Sequence, residues 1–194
     1  MNPRKAAGTL SAAVVAVALS GGLVAGEPAP VAGTRPDVMY LPSPQEVVDR
    51  MLELAEIRPG DVLYDLGCGD GRVLVTAAKR YGIRAVGFDI DPERVRASRE
   101  NAEKNGVAHL VNVTQQDIFT ADFHDATVVT LYLLPNLNVR LKPKLARLRP
   151  GTRILSHSFA MKGARPDRVE KVRTAGRGDR NVFLWRIPWK DDPR

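Results

Sequence analysis

The stretch Val62-Leu-Tyr-Asp-Leu-Gly-Cys-Gly-Asp-Gly-Arg72 decides the fold of this sequence. Its first five residues predict a short, buried β-strand, and Gly67, Gly69 and Gly71 predict a tight turn that leads into a helix. A glycine-rich turn between a parallel strand and a helix lets a ligand approach the backbone, because no side chains block it. We therefore expect a ligand at the carboxyl end of this strand.

The residues around these glycines argue against a dinucleotide ligand. A nicotinamide or flavin fingerprint has the pattern G-x-G-x-x-G, but Arg72 stands where its third glycine would be. The carboxylate of Asp65 would bind a cationic amino group better than it would tolerate a phosphate. Asp89 ends the next predicted strand, in the range where a carboxylate accepts both hydroxyls of a ribose. Together these residues favour a nucleoside ligand without phosphates.

Strand-like and helix-like segments alternate on both sides of the glycine turn. This alternation predicts an α/β fold with a parallel sheet that is covered on both faces. The C-terminal part differs, because two strand-like runs follow each other without a helix between them, which predicts an antiparallel hairpin. The predicted helices cover residues 44–56, 71–81, 92–105 and 136–148, and the predicted strands cover 61–66, 84–88, 110–114, 126–132, 152–157, 168–174 and 182–187.

The start of the first predicted helix carries a capping signature. Ser43 precedes Pro44, and Glu46 follows three residues after the serine. In this pattern the serine and glutamate side chains bind backbone amides that have no partner within the helix. We therefore predict that Ser43 is the N-cap of this helix.

Three ordered motifs resemble the cofactor-binding motifs of class I S-adenosylmethionine-dependent methyltransferases. They are Asp65-Leu-Gly-Cys-Gly-Asp-Gly71, Gly87-Phe-Asp-Ile-Asp91 and Gln116-Asp-Ile-Phe119. The resemblance covers roughly residues 37–188 and implies a Rossmann-like, doubly wound, mostly parallel seven-stranded sheet with S-adenosylmethionine as the cofactor. It implies that Asp65 and Gly67 lie along the methionine part, that Asp89 holds the ribose, and that Asp117 meets the adenine amino group. The full set of cofactor-binding residues that it implies is Asp65, Gly67, Gly69, Gly71, Asp89, Ile90, Asp117 and Ile118.

Within that class, the sequence looks similar to small archaeal and mitochondrial-type protein-lysine methyltransferases. The segments that carry this similarity are Tyr40-Leu-Pro-Ser-Pro-Gln45, Asp65–Arg72 and Ser156-His-Ser-Phe159. The segment Thr130-Leu-Tyr-Leu-Leu-Pro135 departs from the Asn/Asp-Pro-Pro-Tyr signature of enzymes that methylate amino groups of nucleic acids. The resemblance therefore implies methyl transfer to an amine, that of a protein lysine, and argues against a nucleic-acid substrate.

Two tyrosines are our candidates for catalysis. Methyl transfer is an in-line displacement, so the protein mainly aligns the reactants and excludes water. We hypothesise that Tyr132 contacts the acceptor and that Tyr40 gates the pocket, although both also suit ordinary packing. His157, at a strand end, either lines the pocket or belongs to the core. We predict no metal site, because the three histidines are scattered along the chain.

The N-terminal residues differ in composition from the rest. Basic residues at positions 4 and 5 precede an apolar run over residues 6–26, which suits a signal peptide and is also long enough to span a bilayer. We predict a signal peptide or membrane anchor over residues 1–26, a linker over 27–36 and the methyltransferase domain over 37–190. Either form of the leader places the domain outside the cytosol, which conflicts with the supply of a cytosolic cofactor.

Other functions stay open at this point. The formal net charge is +7, and residues 162–180 contain seven basic and three acidic residues, which suit either a solvated face or RNA binding. A small molecule or a lipid head group is an alternative acceptor. A non-catalytic nucleoside-binding module is the alternative to an enzyme. The sequence leaves the oligomeric state open.

Overall fold

The computed structural model describes residues 40–176 and 178–192. The leader predicted over residues 1–26 and the linker predicted over 27–36 lie outside the described residues. The helices are α1 (Gln45–Leu54), α2 (Arg72–Tyr81), α3 (Pro92–Lys104) and α4 (Pro135–Leu145). The strands are β1 (Val62–Leu66), β2 (Arg84–Asp89), β3 (Val111–Gln115), β4 (Val128–Leu131), β5 (Arg153–His157), β6 (Ala164–Arg165), β7 (Arg168–Thr174), β8 (Gly178–Arg186) and β9 (Lys190–Asp191).

Seven of these strands form one sheet in the order β3-β2-β1-β4-β5-β8-β7. Strands β1 to β5 are parallel, while β8 is antiparallel to both β5 and β7. The predicted mostly parallel, seven-stranded sheet with an antiparallel C-terminal hairpin is therefore confirmed. The strand order changes direction between β1 and β4, and ligands bind at such a switch point, outside the carboxyl ends of the strands.

The sheet separates two apolar layers. On one face α1 and α2 pack through residues such as Val48, Leu52 and Leu74, which are fully buried. On the other face α4 packs through Leu141 and Leu145. Both layers exclude water from the sheet, so the strand ends at the switch point have a rigid support. In the part of the chain that is described, no helix has the length and apolar character needed to cross a membrane.

The capping box predicted at α1 is wrong. The N-cap is Pro44, whose carbonyl oxygen accepts hydrogen bonds from Val47 and Val48, and no side chain caps the helix. The hydroxyl of Ser43 instead pairs with His157, at 2.8 Å, and a carboxylate oxygen of Glu46 accepts from the distant backbone amide of Ala175. Tertiary partners have replaced the local ones that the pattern suggested.

At the start of α3, the pair Asp91-Pro92 predicts a cap from the sequence alone, and the structure confirms it. The Asp91 side chain accepts a hydrogen bond from the amide of Glu93, and Pro92 occupies the first helical position. The small sheet of β6 and β9 was not predicted from the sequence. Each of its strands has only two residues, too few for an apolar alternation to show.

Candidate active site

The glycine loop after β1 is closely packed on both sides. Gly69 has a φ of 54°, and a Cβ atom there would lie 2.4 Å from Cε2 of Tyr40. Gly71 has a φ of 73° and is the N-cap of α2, where a Cβ atom would lie 2.1 Å from the hydroxyl of Ser98 on α3. Both values of φ lie in the left-handed region that side chains disfavour. The loop therefore needs glycine for its conformation and for the approach of its neighbours.

Nine of the ten predicted site residues line a single cleft at the switch point. Gly71 does not line it, and its close contact with Ser98 indicates packing of α2 against α3. Its role as a cofactor contact, like the individual roles of the other nine, stays a prediction. The nine are Tyr40, Asp65, Gly67, Gly69, Asp89, Ile90, Asp117, Ile118 and Tyr132.

The cofactor end of this cleft is acidic. Asp65 is buried at the end of β1 and accepts a hydrogen bond of 2.7 Å from the Thr130 hydroxyl. Burial raises the pKa of Asp65 to about 7, and the charges of Asp89 and Asp70 act in the same direction. Burial also raises the pKa of Asp89, although that carboxylate accepts hydrogen bonds from the amides of Gly69 and Asp91 at 2.8 and 3.0 Å. These groups suit a cationic ligand and would repel a pyrophosphate.

Asp117 and Ile118 line the part of the cleft that follows β3. A carboxylate oxygen of Asp117 accepts a hydrogen bond of 2.9 Å from the amide of Phe119, so this residue also closes a local turn. The guanidinium of Arg140 lies 3.8 Å from the centre of the Phe119 ring. This end of the cleft therefore offers a polar group beside apolar surfaces, as a nucleobase requires.

An aromatic wall stands at the opposite end, after β4. The Tyr132 ring stacks on the imidazole of His157, with 3.8 Å between ring centroids. The centroid of the Phe159 ring lies 6.2 Å from that of Tyr132. Ser158, between His157 and Phe159, has a φ of 63° and turns the chain sharply there. His157 is fully buried. Burial, followed by the positive charge of Arg180, lowers the pKa of His157 to about 4, so this ring is neutral at pH 7.

Tyr40 lies across the glycine loop. Its ring contacts Gly69 and stacks under the guanidinium of Arg94, which is 4.7 Å from the ring centroid. Burial and then the charge of Asp70 raise the pKa of its hydroxyl. This position is compatible with the predicted gate, and the gating role stays a prediction.

The sequence did not reveal the bond between Ser43 and His157, because Ser43 fitted a capping pattern and the two residues are 114 positions apart. The hydrogen bond from Thr130 to Asp65 was missed because these two residues are also far apart in the sequence. Among the described residues there is no cluster of histidine, cysteine, aspartate and glutamate that could hold a metal ion. Cys68 is buried, and burial raises the pKa of its thiol well above the usual value.

The residues of the cleft fit S-adenosylmethionine. Small residues allow close approach at the loop, the carboxylates of Asp65 and Asp89 would attract a cationic ligand, and Asp89 lies at a strand end where a ribose can bind. Sheet and cleft together define a class I S-adenosylmethionine-dependent methyltransferase. The family model of the ANTKMT methyltransferase domain matches residues 65–168. The chain belongs to this ANTKMT methyltransferase family.

Relatives of this chain support the same activity. A protein named protein-lysine N-methyltransferase, from Saccharolobus islandicus, is 47% identical over 154 residues, which are 78% of this chain and 95% of the relative. The adenine nucleotide translocase lysine N-methyltransferase of Mus musculus is 31% identical over 155 residues, and the match covers 79% of this chain and 65% of that relative.

Solved structures agree with both the fold and the cofactor. An RNA methyltransferase from Salinibacter ruber, in complex with S-adenosyl-L-homocysteine, is 49% identical with a TM-score of 0.72, and the match covers 79% of this chain and 98% of that chain. A methyltransferase from Geobacter sulfurreducens with the same ligand is 28% identical with a TM-score of 0.53, over 59% of this chain and 48% of that chain. This protein is an enzyme that uses S-adenosylmethionine, as predicted.

Proposed function

We propose that this enzyme transfers a methyl group from S-adenosylmethionine to the side-chain amine of a lysine in a protein. The observation that carries the proposal is the relative with 47% identity over nearly its whole length, whose name describes that reaction. The mouse relative, which is also named a lysine N-methyltransferase, supports the same acceptor. The cofactor supplies an electrophilic methyl group, and the protein must present a neutral amine to it.

The acceptor end of the cleft is suited to a neutral amine. A free lysine has a pKa near 10.4, so only about one in a thousand is neutral near pH 7.4. Apolar side chains, among them Leu133 and Leu137, line the cleft near Tyr132. Such surroundings remove water and lower the pKa of an amine, which raises its neutral fraction. The neutral imidazole behind Tyr132 adds no charge that would oppose this effect.

Tyr132 is the residue that we propose to contact the acceptor. Two variants separate the role of its ring from that of its hydroxyl. We expect Tyr132→Ala to lower kcat at least about tenfold, because the acceptor loses its aligning wall. Tyr132→Phe keeps that wall and loses only a hydroxyl contact. Steady-state kinetics with a lysine-containing protein acceptor measures both, and an unchanged kcat in Tyr132→Phe would remove the hydroxyl from the mechanism.

A second acceptor class has an observation in its favour. The Salinibacter ruber relative is named an RNA methyltransferase, and basic residues are concentrated in residues 162–180 of this chain. RNA binding through such residues would weaken steeply with salt. The Thr130–Pro135 segment argues against a nucleic-acid acceptor, since it lacks the Asn/Asp-Pro-Pro-Tyr signature.

One labelling experiment decides between the acceptors. The purified enzyme is incubated with S-adenosylmethionine that carries a labelled methyl group and with separate protein, RNA and lipid fractions. We expect label in protein, and peptide mass spectrometry should place it on lysine. Label confined to RNA, or to lipid or small molecules, would contradict the proposed acceptor and support the corresponding alternative.

We also propose that residues 1–26 export or anchor the enzyme, on the evidence of their sequence alone. Cell fractionation followed by N-terminal sequencing tests this. A cleaved N-terminus in an extracytosolic fraction supports a signal peptide, and an intact N-terminus in the membrane fraction supports an anchor. An intact, freely soluble cytosolic protein would contradict both.

A further inference from the structure

A buried histidine connects the acceptor wall to the segment that covers the glycine loop. The imidazole of His157 contacts Tyr132 on one side, by the stacking described above. On its other side, Nδ1 pairs with the hydroxyl of Ser43 at 2.8 Å. Ser43 lies in the segment from Tyr40 to Ser43, which lines the cleft. His157 itself does not line the cleft.

The orientation of this imidazole depends on few contacts. Nε2 is buried and has no hydrogen-bond partner within the residues that the structure describes. The bond to Ser43 is therefore the polar contact that fixes the rotation of the ring. Burial keeps the imidazole uncharged, so the ring that stacks on Tyr132 carries no charge.

Ser43 is itself fixed to the cofactor loop. Its carbonyl oxygen accepts a hydrogen bond of 2.8 Å from the guanidinium of Arg72, and that guanidinium pairs with Asp70 at 2.5 Å. Asp70 belongs to the glycine loop. A continuous set of contacts thus leads from the loop that receives the cofactor to the ring at the acceptor end.

We propose that His157 is a positioning residue for methyl transfer, which Ser43 holds in place so that it fixes the Tyr132 ring beside the acceptor. The proposal rests on the proposed function, since that function places the acceptor at Tyr132. His157 acts through Tyr132 and touches neither cofactor nor acceptor. Its role is distinct from that of a general base, because the buried neutral ring has no contact with the cleft.

Three variants separate the stack from the bond. His157→Ala removes both, His157→Phe keeps a stacked ring without the bond, and Ser43→Ala removes only the bond. We expect kcat to fall about tenfold or more in His157→Ala and by a smaller factor in the other two, because misplacement of an aligning group slows transfer. The dissociation constant of S-adenosylmethionine, measured by calorimetry, should stay within about twofold.

A matched control removes a buried hydroxyl elsewhere. Thr152 precedes β5 at its opposite end, is buried, and donates a hydrogen bond of 3.2 Å to the carbonyl of Ala126. Thr152→Val should lower the thermal midpoint much as Ser43→Ala does, while kcat stays unchanged. An equal loss of kcat in both variants would show that general destabilisation causes the effect, and would overturn the proposal.

A spectroscopic measurement tests the positioning without an acceptor. The chain has four tyrosines, so 3-fluorotyrosine gives four fluorine NMR signals, and Tyr132→Phe identifies that of Tyr132. We expect this signal to shift and broaden in His157→Ala, to return towards its original position in His157→Phe, and to stay unchanged in Thr152→Val. An unaltered signal in His157→Ala would overturn the proposal. If the wild-type enzyme methylates no lysine, the proposed function fails, while the NMR result still decides the positioning role.

Discussion

The raised pKa of Asp65 predicts that cofactor affinity depends on pH. In the free protein the pKa of this buried carboxyl is about 7, so about half of the molecules carry its charge at pH 7. A bound cation stabilises the ionised form and lowers that pKa. Binding therefore releases a proton below pH 7, and affinity must fall as the pH falls through the pKa of the free protein.

The size of the effect follows from the ionised fraction. One pH unit below the pKa, about one carboxyl in eleven is ionised, compared with one in two at the pKa, so affinity should fall about fivefold from pH 7 to pH 6. Asp65→Asn keeps the shape of the side chain but cannot ionise. This variant should bind about tenfold more weakly at pH 7 and lose the pH dependence, because a charge-assisted contact becomes a neutral one.

Calorimetry with two ligands tests this prediction. S-adenosylmethionine carries the cationic groups, whereas adenosine lacks the methionine part and serves as the control ligand. We expect the affinity for S-adenosylmethionine to depend on pH and the affinity for adenosine to change little. If Asp65→Asn keeps the full pH dependence, another group controls it, and the nearby Asp89, whose pKa burial also raises, becomes the candidate. Identical affinities of the wild type at pH 6 and pH 7 would refute the electrostatic reasoning.

Two further predictions concern residues that do not line the cleft. Gly71→Ala should lower the free energy of unfolding by at least about 2 kcal/mol, because the left-handed φ and the contact with Ser98 both oppose a Cβ atom; chemical denaturation measures this, and unchanged stability would contradict the packing role. Arg153→Met should lower the free energy of unfolding by about 2 kcal/mol, since the partly buried Asp61 loses its charged partner at 2.5 Å and keeps the hydrogen bond from the Arg58 amide. Adding Asp61→Asn should recover much of that loss with kcat unchanged throughout, and failure to recover it would show that the ion pair is not the cause.

The fold could be predicted in large part because its signals are local. Apolar runs mark β1, β2 and β5, and Asp91-Pro92 marks the start of α3. The parallel arrangement followed from their alternation with helices. The N-cap of α1 could not be predicted correctly, since Ser43 can either cap a helix or pair with a distant group, and the sequence does not show that His157 is close.

The candidate site was predictable where a residue acts through its position on a strand end. Asp65, Asp89 and Asp117 each lie at or just after the carboxyl end of a strand of the parallel sheet, so their convergence follows from topology. Gly71 shows the limit of that reasoning, because the motif does not distinguish a glycine required by a ligand from one required by a neighbouring helix. The environment of each carboxyl also depends on contacts between distant segments, such as Thr130 with Asp65.

The charges around the cleft need to be moderate for methyl transfer to proceed. Strong attraction of unpaired carboxylates for the cationic cofactor would stabilise the bound ground state, from which positive charge has to move towards the acceptor. The structure limits this attraction at each group: Arg72 neutralises Asp70, two backbone amides hold Asp89, and burial leaves Asp65 only partly ionised at pH 7. Full ionisation of Asp65 above pH 7 should therefore tighten cofactor binding more than it raises kcat. The neutral fraction of the lysine acceptor also rises with pH, so the comparison has to be made against Asp65→Asn, in which that rise is the same. A ratio of wild-type to variant kcat that rises with pH as much as the ratio of their affinities would contradict this balance.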